Sequence, residues 1–577
     1  MYLDPIARTA AVLCSTILLI ACQSAPQSSP AATTRADSAE TWDRTSSDFV
    51  ERYFKLNPDY AVYAGRHEFD GQLPDWSEDG LRSAIEQLHV QHERIHNFPV
   101  DGLDARRRFD RLVLLGKIEA DLFWLESAKW PWRSPSFYAG IDPNPYVARE
   151  YAPLAQRLQA YTKYAKAVPN AAEQIRHNLH APLARTYIQN GHARFAGLAR
   201  FYEKEVPTIF SAVADTRLQA EFREANAGAI KAMRDLDAWL TAQETSATDD
   251  FALGPEKFQE MLRTTEGVSV PLARLKQIGE DDLQRNLQAL REACTAYDPG
   301  GSVQRCAQKM QAHKPKRSPI DEAAAQLADL RTFLLEHDVV SIPGAEQALV
   351  QEAPAYRRWN AAYINIPGPY EKNLPSVYRI APPDPVWTKE EQAAYIPAQA
   401  GLLFISVHEV WPGHFLQHLH ANRAPSRIEQ LFSSNAFSEG WAHYAEEMMW
   451  EVGLGNGDAE THIGQLTFAL LRDVRYLSAI GLHTGGMTVV QSEAMFRDMA
   501  FQDPGNARQQ AARGTFDPAY GNYTLGKLMI RKLRDDWSAA RGGRAAWKSF
   551  HDEFLSHGSP SIPLIRELML RDQSAPL

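Results

Sequence analysis

Apolar residues recurring at the helical period fill most of this chain, and a single segment breaks the habit. The 3.6-residue spacing predicts helices over about 80–97, 103–128, 151–190, 193–213, 216–245, 271–293 and 320–337. Between 341 and 395 the pattern changes to prolines and aromatics, with short strand-like runs at 348–351, 362–366 and 377–381. Helical periodicity resumes near Pro397 and continues through 434–452, 458–483, 490–500, 520–539 and 544–556. Helices on both sides of one small sheet define a mainly α chain. Its 44% apolar content is ample for a large core. No repeat or Gly/Ser linker divides residues 46–577, which read as one helical domain.

Chemistry concentrates where the helices resume. His408-Glu409-Val410-Trp411-Pro412-Gly413-His414 offers two imidazoles and a carboxylate, and Glu439 follows His414 by 25 residues. Two nitrogen ligands, one oxygen ligand and an open fourth position are the parts of a catalytic zinc site. One Zn²⁺ per chain is therefore expected on His408, His414 and Glu439. Glu409 is placed to accept the proton of a water that such an ion acidifies. The spacing needs a physical account, because residues six apart on an ideal helix point roughly 120° apart, against about 40° for an i, i+4 pair. Pro412 has no N–H to donate and Gly413 is a weak helix former. The helix is expected to widen into a bulge or break there, bringing both imidazoles to one side. His414 and His418 form a competing i, i+4 pair that needs no distortion. A kinked buried helix with incidental histidines is the plainer alternative.

The 408–414 run with Gln417, and Glu439-Gly440-Trp441-Ala442-His443-Tyr444-Ala445-Glu446, resemble the bacterial family known as domain of unknown function 885. Arg475 to His483, ending in Gly486-Met487-Thr488, and Tyr523-Thr524-Leu525-Gly526-Lys527 match two further segments. The motif-level likeness covers about 404–527, and a looser one about 45–570. Two positions depart from the family pattern: Phe415 stands where a second histidine is usual, and Ala479 where an aspartate is usual. The family in turn resembles helical zinc peptidases such as angiotensin-converting enzyme and dipeptidyl peptidase III. That likeness implies a large two-lobed helical fold with a central cleft and a small sheet beside the metal helix. It also implies a zinc-dependent hydrolase cleaving amide bonds of short peptides.

The same resemblance makes His483 and Tyr523 candidate catalytic donors to an oxyanion, with Tyr520 competing for the tyrosine role. The plainer readings are a histidine favoured at a helix C-terminus by the dipole, and a core tyrosine. Arg475 lies eight residues before His483 on the same helical face and is a candidate to bind a substrate carboxylate, or else to pair with Glu446. His443 and Glu446 are placed to support the ligands, and Trp441 to pack in the core. An exposed edge of the small sheet could hold an extended peptide, or the sheet could simply prop the metal helix. A catalytically weak or inactive envelope scaffold is the alternative function; Glu409 favours the enzyme, since a scaffold needs no general base. A hydrolase of a cell-wall stem peptide bond or a modified amino acid fits the same residues.

The N-terminus reads as targeting. Arg8 precedes an apolar run over 10–21 that is too short to span a membrane and suits a secretory segment. Leu19-Ile20-Ala21-Cys22 resembles a bacterial lipobox, implying a signal peptide over 1–21, lipidation of Cys22, and membrane attachment through that lipid alone. Gln23 resembles a signal for outer-membrane sorting, so the expected place is the envelope, facing the periplasm. Residues 22–45, rich in Ser, Ala, Thr and Pro, are expected to be a flexible tether. Cys294 and Cys306 are expected to pair in an oxidising compartment. A net charge of −10 argues against a nucleic-acid partner. No serine-hydrolase elbow, Walker loop or dinucleotide fingerprint occurs in a fitting context.

Overall fold

The apolar stripes of the sequence are buried helix against helix. Leu154–Asn178 and Arg185–Lys204 each pack along Thr216–Ala242. Their seam is aromatic, and its polar tips find partners inside: Tyr161 donates to Asn226 at 2.6 Å, and the Tyr164 and Tyr202 hydroxyls lie 2.6 Å apart. The computed structural model describes residues 30–354, 357–358, 361–383, 387–571 and 576–577, with side chains of the first helix from residue 38 onward. The expected signal segment 1–21 and Cys22 lie outside the described residues.

Two expectations need correction. The helix expected over 151–190 ends at Asn178 and a new one starts at Arg185, because Pro182 falls between and cannot continue the ladder. The tether expected through residue 45 gives way to a helix, Pro30–Leu56, whose Trp42 is fully buried with its ring 5.1 Å from Phe98. Composition suggested a linker there, but Trp42, Phe49, Val50 and Phe54 recur at helical spacing and dominate. Pro255–Glu266, Pro504–Phe516 and Ile562–Leu570 are further helices that the periodicity did not separate from loops. Cys294 and Cys306 form a disulfide joining the Leu272–Tyr297 and Val303–Ala312 helices.

The segment that breaks the helical habit forms the expected sheet. Strands β1 (Ala348–Glu352), β2 (Ala362–Asn365) and β3 (Ser376–Ile380) lie in the order β1-β3-β2. β3 runs parallel to β1 and antiparallel to β2, with Ile364 opposite Tyr378. As the central strand, β3 is almost wholly buried, while β1 is largely exposed. β2 packs against the Gln399–Glu409 helix.

That helix, with His414–Ala421, Asn435–Glu451, Ala459–Thr484 and Asn522–Ala539, frames the candidate site. Ser434 and Asp458 cap two of them, accepting from the backbone of Phe437 and Thr461. The Asn435–Glu451 helix meets Asn522–Ala539 backbone to backbone at Gly440 and Gly526. A Cβ on Gly526 would sit 1.9 Å from the Ala436 carbonyl oxygen, so only glycine permits that approach. No helix among the described residues is long and apolar enough to cross a membrane.

Candidate metal centre

The six-residue histidine spacing is accommodated by a break rather than a bulge. One helix ends at Glu409 and the next begins at His414. Val410 still donates to the Ser406 carbonyl, and Gly413 donates to Val407 at 2.9 Å, folding the chain tightly back on the helix end. A Cβ on Gly413 would lie 1.8 Å from the His408 carbonyl oxygen, so the fold-back requires glycine. Pro412 frees its carbonyl outward, where the buried Trp441 indole N–H donates to it at 2.8 Å. Trp441 thus packs in the core as expected and also ties the turn to the Glu439 helix.

This turn brings the two imidazoles together, ring centroids 4.8 Å apart and nearly perpendicular. Nε2 of His408 and Nε2 of His414 lie 3.5 and 3.4 Å from the same Glu439 oxygen, Oε2. Two ligands 2.0–2.1 Å from one ion at the tetrahedral angle are separated by about 3.3–3.4 Å. The Glu439 Oε2 atom is buried and has no hydrogen-bond partner, the signature of a polar atom waiting for a cation. His408, His414 and Glu439 are the one group of three such side chains close enough to share an ion among the described residues. His418 is not among them; burial and nearby His414 push its pKa down to about 4. The residues therefore fit a four-coordinate zinc with one open position.

Behind the ligands stands a buried charge network. His408 Nδ1–H donates to Glu446 Oε1 at 2.7 Å, fixing the tautomer that leaves Nε2 free to ligate. Arg472 donates to Glu446 Oε2, also at 2.7 Å, and His443 Nδ1 lies 3.4 Å from that oxygen. Burial alone would lower the His408 pKa, as would Arg472, but without a metal Glu439 and Glu446 lift it to about 9, so a bound cation would displace the Nε2 proton. Burial would raise Glu439, yet the two imidazoles hold it well below the carboxylate range. Arg472 takes the place that sequence reasoning offered to Arg475. Arg472 lies one helical turn before Arg475, just outside the segment that begins at Arg475, and its spacing from that residue was the only signal for it.

Glu409 Oε2 accepts the Ile364 N–H of β2 at 3.0 Å, on the strand edge turned away from β3. Burial raises its pKa above the ordinary glutamate value. Tyr523 lies alongside, its ring 6.2 Å from that of His408 and nearly parallel to it. Arg475 also reaches this cluster, its guanidinium 5.1 Å from the Tyr523 ring and its Nε donating to Gln510 at 2.8 Å. His483 is not brought to this group. Its Nε2–H donates to the Gly514 carbonyl at 2.8 Å, its Nδ1 accepts from Leu253, and its ring lies among Phe251 and Phe258. With both nitrogens occupied by backbone, and its pKa pushed down to about 4 by burial, it is a core histidine joining three segments. Tyr520, the competing tyrosine, is buried beneath Gly514.

Comparison with known proteins bears on the fold. A family model described as bacterial protein of unknown function (DUF885) matches residues 58–569. A solved structure of a candidate lipoprotein of unknown function from Shewanella oneidensis is similar, with 23% identity and a TM-score of 0.75, over 92% of this chain and 99% of that one. Another candidate lipoprotein, from Colwellia psychrerythraea, aligns with 17% identity and a TM-score of 0.76 over the same shares of the two chains. At such identities the likeness concerns the fold. No curated protein matches the chain.

Proposed function

The chain belongs to DUF885, a family of bacterial proteins of unknown function, and on that premise we propose that it is a zinc-dependent hydrolase cleaving amide bonds of short peptides. The observation that carries this reading is the near-tetrahedral spacing of His408, His414 and Glu439 about an orphaned carboxylate oxygen. Zinc bound there supplies Lewis acidity toward a carbonyl and lowers the pKa of coordinated water. Glu409, next in sequence to a ligand and facing the same space, takes the proton of the attacking water and hands it to the leaving amine. Tyr523 is the donor for the developing oxyanion, and its place beside His408 supports that role. The outward edge of β2 lies within reach of Glu409 and offers backbone groups to an extended peptide.

In this reading the helices on either side of the sheet form two lobes with the metal between them, so thin, unstructured peptides are substrates and folded proteins are not. The solved relatives are described as candidate lipoproteins, which together with Cys22 supports a lipid-anchored envelope protein, at the outer membrane and facing the periplasm.

A peptide-library digest by the purified, zinc-loaded chain tests the proposal. One zinc per chain and cleavage of short peptides abolished by chelation are expected; a chain that binds zinc yet cleaves nothing returns the protein to the scaffold reading. The turn itself gives a second test. Gly413→Ala should lower zinc affinity by about 100-fold, because the added Cβ must displace the His408 carbonyl and with it the ligand. Competition with a chromophoric chelator measures this, with circular dichroism confirming that helix content is kept. Undiminished affinity would mean that the ligand geometry does not depend on this fold-back.

A further inference from the structure

Three guanidinium groups surround one phenol beside the metal ligands. Arg472 and Arg475 lie 5.6 and 5.1 Å from the Tyr523 ring. Arg513 interacts with the same tyrosine from the Pro504–Phe516 helix. Two of these cations are compensated within the fold: Arg472 by Glu446 at 2.7 Å and Arg513 by Asp517 at 2.9 Å. Arg475 is not. Although 92% of its surface is buried, it has no carboxylate within ion-pair distance among the described residues. Its one hydrogen bond uses Nε, to Gln510, which leaves the two terminal nitrogens free for a planar acceptor. Ala479, one turn further along the same helix, is too short to supply that acceptor. Burial and the neighbouring Arg513 pull the Arg475 pKa down to about 10, leaving it charged at neutral pH.

A buried, unpaired cation is costly unless something completes it. The surroundings leave a way in. Tyr523 is only partly buried, and Arg513 keeps 36% of its side chain exposed, so the cluster reaches solvent through these two side chains. We infer that Arg475 anchors an anion subsite that receives a carboxylate of the substrate through a bidentate pair, one side-chain layer away from the metal ligands. This deepens the peptidase reading and rests on it. The carboxylate has two possible sources, the C-terminus of the peptide or an acidic side chain near the scissile bond. Tyr523 neighbours both His408 and Arg475, 6.2 Å between the rings and 5.1 Å from ring to guanidinium, so the bound anion sits beside the same phenol as the ligands.

The test measures binding apart from turnover. The zinc-loaded full-length Glu409→Gln chain is titrated calorimetrically with four forms of one short peptide selected from the library by its binding to this variant: C-terminal acid or amide, each with Glu or Gln as the penultimate residue. The forms carrying the engaged carboxylate should bind about tenfold or more tightly than their neutral partners. The acid–amide pair and the Glu–Gln pair reveal which source is used. In Glu409→Gln/Arg475→Gln the preference should fall below about twofold. Arg475→Lys, which keeps the charge but loses the planar fork, should retain part of it and guards against a folding defect. Equal binding of all four peptides, no binding of any, or a preference that survives Arg475→Gln overturns the inference. Absence of cleavage by the unmutated chain, with the binding preference intact, would instead overturn the peptidase reading alone.

Discussion

Glu409→Gln is expected to lower kcat by about 10²–10⁴-fold while leaving zinc content, fold and peptide binding nearly unchanged. The substitution preserves shape, and the Gln amide oxygen can still accept the Ile364 N–H that Glu409 accepts at 3.0 Å. β2 therefore has no reason to move. What disappears is a group able to take a proton from water and return it to an amine; an amide can do neither. Because the side chain is not one of the three candidate ligands, metal stoichiometry should stay at one per chain. Steady-state kinetics on the best library peptide, with zinc measured by elemental analysis on the same sample, reads both quantities at once. Full activity in this variant would remove Glu409 from the mechanism. Loss of zinc along with activity would show instead that the residue holds the site together.

Much of this arrangement was legible in the sequence, for identifiable reasons. Pro412 and Gly413 announced a helix interruption between the histidines, and the fold-back at Gly413 follows from chemistry local to those residues. The strands were legible within a residue or so because prolines bound them and Tyr378 and Val377 mark a buried centre. The distinction between bulge and break was not legible, since it depends on Trp441, 29 residues on, capturing the Pro412 carbonyl. Nor was the choice of arginine. Arg472 and Arg475 lie one turn apart, and which of them meets Glu446 depends on how the Ala459–Thr484 helix is rolled against its neighbours. That roll is set partly by Gly279, where a Cβ would come within 2.4 Å of the Tyr476 ring. His483 failed for the same reason: motif membership located it correctly on the helix, but its partners, Leu253 and Gly514, come from segments remote in sequence.

Glu446→Gln should cost the protein about 3–5 kcal/mol of stability, the usual consequence of removing one partner from a buried ion pair. The Glu446 carboxylate is fully buried and accepts from both Arg472 and His408 at 2.7 Å. An amide of the same shape leaves the Arg472 cation uncompensated in the interior. It also gives the His408 imidazole a weaker acceptor, so zinc affinity should fall by about 10–100-fold. The two losses have different physical origins and can be pulled apart. Adding Arg472→Met removes the stranded cation and fills its volume with an apolar chain, so Glu446→Gln/Arg472→Met should regain most of the stability measured by urea unfolding in chelator. It should not regain zinc affinity, because the acceptor behind His408 is still an amide. Recovery of both together would make the network a packing device with no hold on the metal ligand. A single variant as stable as its parent would mean that Arg472 finds another partner or reaches solvent, and that Glu446 is not what offsets its charge.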